Sequence, residues 1–240
     1  MSKLNLVHLK NVPIYEQLQL EEALLRLTGE SWCVINEGSP PAIVMGISGK
    51  FEQLVDEKKI ANSPIPLIKR YSGGGTIVVD NDTLFVSFIM QKNEVPISPF
   101  PEPILRWSAN LYKKALNIPG FSLKENDYVI GMRKCGGNAQ YIKKEAFVHH
   151  TTFLWNFQTD LMDYLLHPPK TPKYRAGRTH HDFLCSLKEF FPSKAYFIAA
   201  LKSHLKAFYT INERDLNPLL PLLIKPHRKA TSLIIPCRGS

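Results

Sequence analysis

The chain has 240 residues, 44% of them hydrophobic, and a formal net charge of +9. That suits one large α/β domain, and no run reaches the ~18 apolar residues of a membrane span. Residues 1–10 lack the continuous apolar block of a signal peptide. The four cysteines, Cys33, Cys135, Cys185 and Cys237, stand far apart with no CxxC pair, which argues against a disulfide framework or a zinc site and fits a reducing cytoplasm. The basic residues are scattered, without a helix-turn-helix or ribonucleoprotein motif. The charge therefore predicts acidic partners but not nucleic acid.

Residues 13–28 predict a helix. Ile14, Leu18, Leu25, Leu20, Leu24 and Leu27 give it a broad apolar face, and Gly29 is placed to end it. Glu16, Glu21 and Glu22 are expected in solvent. Residues 31–36 and 42–47 read as strands joined through Pro40 and Pro41, which cannot donate to a ladder. Residues 51–60 predict a short amphipathic helix, and 66–70 a short strand running into Tyr71-Ser72-Gly73-Gly74-Gly75-Thr76. Residues 77–79 and 84–89 are expected to pair as a hairpin around Asp80-Asn81-Asp82. The prolines of 96–103 predict a loop, and the spacing of Ile104, Trp107, Leu111 and Ala115 a helix over 104–116. Strands are predicted at 127–132 and 147–157, a short helix at 160–166, and a proline- and lysine-rich link at 167–173. Residues 193–209 predict a helix with Ser193 as N-cap. Residues 217–240 have no assignment. Helices interspersed with strands predict an α/β (α+β) fold, a mixed β-sheet with packed helices, in one domain over 1–240.

Two glycine-rich stretches carry the chemistry. Three consecutive glycines at 73–75 each cost about 0.5–1 kcal/mol of stability, and a strand-rich chain keeps them where a ligand lies against the backbone. Their amides can donate to a carbonyl or phosphate, and Arg70 adds a cationic fork. A flexible hairpin loop would read the same way. In the second stretch a strand over 128–130 meets Arg133 and Lys134, then Gly136 and Gly137. A cation beside bare backbone can hold a carboxylate or phosphate; a β-turn with a solvated lysine fits as well.

Read together, Arg70-x-Ser72-Gly-Gly-Gly75-Thr76, Asp80, Ser87-Phe-Ile89, Gly131-x-Arg133-Lys134-x-x-Gly137-x-Ala139-Gln140 and His149-His150 resemble the lipoate–protein ligase A family. That family shares a class II catalytic domain with biotin–protein ligases and octanoyltransferases. The resemblance covers roughly residues 14–187. It implies a two-step reaction: lipoate and ATP, with Mg2+, give lipoyl-AMP and pyrophosphate, and a lysine ε-amine then attacks the mixed anhydride. The implied acceptors are lipoyl domains of 2-oxoacid dehydrogenase E2 subunits or the glycine-cleavage H protein. By the resemblance Lys134 is the catalytic cation. Arg70, Ser72, Gly73, Gly74, Gly75, Thr76, Asn126, Asp127, Gly137, Ala139 and His149 bind lipoate and ATP. No set of residues is expected to hold a resident metal. Trp32, Met45 and Phe88 are candidates for an apolar tunnel or for the core.

The chain departs from the family in several places. Val79 stands where the family commonly has a histidine. Cys135 follows the lysine, which raises an octanoyl/lipoyl transferase that carries its acyl group on a cysteine thioester. Extended-chain alternation puts Cys135 on the face opposite Lys134. Cys185 lacks the Pro-Cys-Gly context of such nucleophiles. Residues 174–183 replace a serine- and arginine-containing family segment, and Arg175 and Arg178 are candidates for phosphate or an acidic acceptor. The roughly thirty residues after 209 are too few for the C-terminal accessory domain of many bacterial members. Either the chain performs both steps without it, a separate polypeptide supplies it, or the protein performs only acyl transfer. A degenerate ligase fold kept as a basic binding module is the non-enzymatic alternative.

Overall fold

Alternation along the long strands decides the layering of the fold. The computed structural model describes residues 1–166 and 172–234. In chain order the elements are β1 (Ser2–Lys10), α1 (Ile14–Leu27), β2 (Trp32–Glu37), β3 (Ala42–Met45), α2 (Phe51–Leu54), α3 (Glu57–Asn62), β4 (Leu67–Lys69), β5 (Ile77–Val79), β6 (Thr83–Gln91) and α4 (Pro101–Leu116). There follow β7 (Phe121–Lys124), β8 (Asp127–Ile130), β9 (Arg133–Ile142), β10 (Ala146–Leu154), α5 (Thr159–Met162), α6 (His180–Phe183), α7 (Lys194–Lys206), β11 (Tyr209–Arg214), α8 (Pro221–Ile224) and β12 (Ser232–Ile234).

Eight strands form one sheet in the order β11-β1-β2-β6-β10-β9-β8-β7, and four form another, β12-β4-β3-β5. The large sheet is mixed: β1 runs parallel to β2 and β11, whereas β6 and β10 are antiparallel. One face sends Leu4, Leu6, Cys33, Ile35, Val86, Phe88, Phe147 and Phe153 into a core with residues of α4 and α7. The other sends Val7, Leu9, Trp32, Val34, Phe85 and Val148 against α1. Strands buried on both faces read as near-continuous apolar runs, as Leu4–Leu9 does. The mixed sheet with packed helices is the predicted fold class.

Local chemistry explains where the structure departs from the sequence reading. The helix expected over 51–60 is two helices, because Val55 is extended and Asp56 caps α3 by accepting from Lys59 N. The hairpin expected over 77–89 does not form. β5 pairs with β3 in the small sheet, while β6 crosses into the large sheet between β2 and β10. The Asp80 carboxylate makes that crossing by accepting from Asp82 N and Thr83 Oγ1. α4 starts at Pro101, inside the predicted loop, since proline is suited to a first helical turn. The strands β1, β7, β9, β11 and β12 were not predicted. Ser193 caps α7 as expected, accepting from Tyr196 N.

The expected solvation of the α1 carboxylates holds only for Glu16. Glu21 and Glu22 are buried. Glu22 pairs with Arg26 and accepts from the amides of Ala230 and Thr231, which ties the chain after α8 across α1. Residues 217–234, unassigned from sequence, thus pack back on the fold, and β12 extends the small sheet beside β4. The link at 167–171 and Cys237 lie outside the described residues. Among the described residues no helix is long and apolar enough to cross a membrane.

Candidate active site

A cleft of about 1310 Å³ opens between the two sheets, bordered by α1 and by the segment around Arg175 and Phe183. Lys134 enters it because of one irregularity. β9 pairs with β8 through Tyr128↔Gly136 and Val129↔Lys134, so Cys135 is an extra residue. A bulge of this kind shifts the alternation by one. Lys134 consequently points to the cleft together with Gly137 and Ala139, while Cys135 drops into the α4/α7 core. A Cβ on Gly137 would lie 3.5 Å from Lys134 Nζ, so this glycine leaves the lysine its channel. Gly136 has a different reason: a Cβ there would meet the Phe153 ring at 2.8 Å. Lys134 Nζ is 2.8 Å from Asp127 Oδ1. Asn126 lines the cleft beside it, and its carbonyl accepts from Asn138 Nδ2. Asp127 suits a magnesium ion that arrives on nucleotide phosphates, where one or two carboxylates suffice.

The glycine loop faces Lys134 across the cleft. Gly73, Gly74, Gly75 and Thr76 line it. Only Gly74 needs its freedom, with φ +99° and Arg70 Nη2 2.8 Å from where a Cβ would stand. A Cβ on Gly75 would meet nothing within 4 Å, which leaves that backbone open to a ligand. The loop also requires Gly46, which the sequence reading passed over: a Cβ there would be 2.2 Å from Gly74 O.

Arg70 lines the cleft as expected, but its guanidinium is engaged with the loop, and Ser72 does not reach the cleft. The Arg70 guanidinium is buried and donates to Ser72 Oγ, Gly73 O, Gly75 O and Val44 O. Its fork holds the loop in shape, and burial lowers its pKa to about 10. Ser72 is fully buried under the loop and is not among the residues lining the cleft.

The paired histidines fall on opposite faces of β10. His149 is the one assigned to the site, but it faces the core, where its Nε2 meets Tyr128 Oη at 2.8 Å. Burial, with His150 nearby, pushes its pKa down to about 3. His150 faces the cleft instead. Its Nδ1 lies 2.7 Å from Glu21 Oε2, and Gln17 Nε2 donates to the other Glu21 oxygen. The His150 Nε2 is buried without a hydrogen-bond partner among the described residues. Glu21 was missed, although the spacing 14, 18, 21, 25 places it within the apolar stripe of α1. Trp32, Met45 and Phe88 are core residues.

The segment after residue 172 closes the Lys134 side. Tyr174 Oη donates to Asp127 Oδ2 at 2.8 Å, and Tyr174 N donates to Glu125. Arg178 spends its guanidinium on the carbonyls of Met132, Tyr174 and Arg175. Arg175 lines the cleft, stacked over Phe183. Cys135 and Cys185 are both fully buried, and neither is among the cleft-lining residues. That placement removes the geometric basis for a cysteine thioester.

Comparison with known proteins gives the family and the fold. The chain is 29% identical over 281 aligned positions to the inactive lipoate–protein ligase 2 of Plasmodium falciparum, covering 89% of this chain and 72% of that protein. It is 28% identical over 123 positions to a lipoate–protein ligase of Bacillus subtilis, spanning only 36% of that relative's length. Two solved structures share the fold: a bi-partite lipoate protein ligase of Thermoplasma acidophilum (TM-score 0.75, 18% identity, 93% of this chain and 91% of that one) and a lipoate-protein ligase A bound with ATP (TM-score 0.74, 17% identity, 92% of each). The model of the lipoyl protein ligase A/B catalytic domain matches residues 13–209, and the chain belongs to that family.

Proposed function

We propose that the protein is an ATP-dependent lipoate–protein ligase. The observation that carries this reading is the Lys134 ammonium, held between Asp127 and Gly137 and facing the bare backbone of Gly75 across the cleft. In the first step a lipoate carboxylate oxygen attacks the α-phosphorus of ATP and pyrophosphate leaves. A fixed ammonium gathers the two anions and offsets charge on the pentavalent phosphorus. In the second step an acceptor lysine amine attacks the acyl carbon and AMP leaves, with the same ammonium beside the oxyanion. Glycine amides at 74 and 75, with Gly73, Thr76, Asn126, Asp127 and Ala139, bound the acyl-adenylate, and Asp127 would hold a magnesium ion that would offset phosphate charge.

The acceptors we propose are lipoyl domains of 2-oxoacid dehydrogenase E2 subunits or the H protein, in the cytoplasm. The likeness to the T. acidophilum structure, described as a bi-partite ligase with its E2 lipoyl domain, supports this choice. It also supports the idea that residues 1–240 act as one catalytic domain with a separate accessory polypeptide. A second reading, a lipoyl-binding or transfer-only module, is favoured by Val79 and by the relative named inactive.

The deciding experiment incubates the protein with an apo lipoyl domain, lipoate and Mg-ATP and reads intact mass. ATP-dependent modification, lost in Lys134→Ala, is the expected result. Modification from added lipoyl-AMP but not from ATP selects the transfer-only module. No modification from either sinks the enzymatic reading.

A further inference from the structure

Arg175 is only 9% exposed, yet its guanidinium has a single hydrogen-bond partner among the described residues. Its Nε donates to Arg178 O at 3.0 Å, and one face stacks on the Phe183 ring at 5.2 Å. Neither Nη has a hydrogen-bond or ion-pair partner there. Burying a charge is costly unless something answers it. The other buried charges are answered: Glu22 by Arg26, Glu21 by His150, Asp127 by Lys134, and Arg70 and Asp80 by their own loops. The turn itself aims Arg175. Arg178 N donates back to Arg175 O, and Ala176 and Gly177, at φ +50° and +72°, reverse the chain between them. Tyr174, one residue earlier, is fastened to Asp127 and Glu125. Leu184, next to Phe183, is bridged to Lys134. Arg175 and Lys134 thus belong to one wall of the cleft.

An acidic protein surface cannot reach a guanidinium this buried, whereas a small anion in the cleft can. The adenylation proposed above brings a triphosphate to one ammonium, Lys134. The other arginines lining the cleft are engaged, Arg70 with its loop and Arg106 with Glu102. Resting on that ligase reading, we propose that Arg175 is a phosphate-binding residue whose Nη fork takes oxygens of the nucleotide's polyphosphate. A planar fork with two parallel N–H groups matches phosphate bidentately. The bound phosphate supplies the missing counter-charge, so the cost of burying Arg175 in the empty protein is recovered when nucleotide binds.

Titration calorimetry on the full chain tests this without turnover. The titrants are the α,β-methylene analogue of ATP with Mg2+ and, separately, lipoate alone. Arg175→Gln is expected to weaken the ATP analogue about 10–100-fold and to leave lipoate unchanged, with Arg175→Lys in between. Equal affinity of wild type and Arg175→Gln for the analogue would overturn the inference and leave the ligase reading standing. A loss confined to lipoate would assign the fork to a carboxylate and overturn it too. A wild type that does not bind the analogue would sink the ligase reading and this inference with it. Hydrogen exchange over residues 172–179, measured without ligand, separates binding from packing. Equal exchange in wild type and Arg175→Gln is expected, and faster exchange in the variant would make Arg175 a brace of the wall and overturn the proposal. Should Arg175→Gln not fold, Arg175→Lys decides alone, and wild-type affinity for the analogue in that variant would overturn it.

Discussion

Lys134 and Gly137 face the cleft from the same side of β9 although they are three residues apart. Regular alternation forbids this, and the extra residue Cys135 makes it possible. The glycine is then a matter of space for the ammonium. In Gly137→Ala the new methyl sits at an ordinary contact distance, 3.5 Å from Nζ, and near-normal activity is expected. In Gly137→Val the added methyls push the ammonium aside. A displacement of about 1 Å costs on the order of 100-fold in rate. Lipoate- and ATP-dependent modification of a lipoyl domain measures this, with circular dichroism melts expected to match wild type.

Arg70 braces the glycine loop, so Arg70→Lys is not conservative here. A lysine keeps the charge but cannot reach Val44 O, Gly73 O, Gly75 O and Ser72 Oγ together. Hydrogen bonds to a charged donor contribute roughly 1.5–3 kcal/mol each, so losing one or two exposes the loop. Hydrogen exchange at residues 73–76 is expected to quicken about 10–100-fold in the variant, with other segments unchanged. Equal protection in both proteins would show that the fork is free for a ligand.

His149 predicts an acid sensitivity. Its folded pKa is near 3, against ~6.5 in an unfolded chain. Above pH ~6.5 the ring is neutral in both states and nothing changes. Between pH ~6.5 and 3 only the unfolded chain takes the proton, so stability falls by up to about 1.4 kcal/mol per pH unit. His149→Gln can keep a partner for Tyr128 Oη without titrating. Urea unfolding at pH 7, 6, 5 and 4 is expected to show a shallower loss in the variant than in wild type. Parallel curves would mean that His149 is protonated in the folded protein.

The fold class and the Lys134/glycine-loop pairing were legible because they rest on local signals: apolar runs, Gly-Gly-Gly, and a cation before glycine. Partner choice was not. The chain 77–89 looks like a hairpin, and only the alternation of β6 between two cores shows why β5 and β6 part. His149 and His150 are indistinguishable in sequence, since the strand register that aims one at the cleft depends on β6 and β9. Glu21 was misread for a different reason. A carboxylate in an apolar stripe suggests solvent until its partners Gln17 and His150 are known. Burial of Glu22 had no local signal, because its partner amides at 230 and 231 come from the far end of the chain.

That distant partnership makes the last prediction. Glu22 is fully buried, pairs with Arg26 at 2.8 Å, and accepts from Ala230 N and Thr231 N. Glu22→Ala takes the carboxylate from a partly buried guanidinium, which keeps only its place over the Tyr141 ring, and leaves two amides unpaired. Removing one partner of a buried pair costs about 3–5 kcal/mol, or roughly 6–20 °C in Tm for a chain of this size. Glu22→Gln keeps the shape and one acceptor oxygen, so a smaller loss is expected. The loss should also be directional: β12 is held to β4, and residues 230–234 are expected to exchange amide hydrogens faster before the rest of the fold loosens. Uniform acceleration across the chain would instead place Glu22 in the global core, with no particular hold on the C-terminal strand.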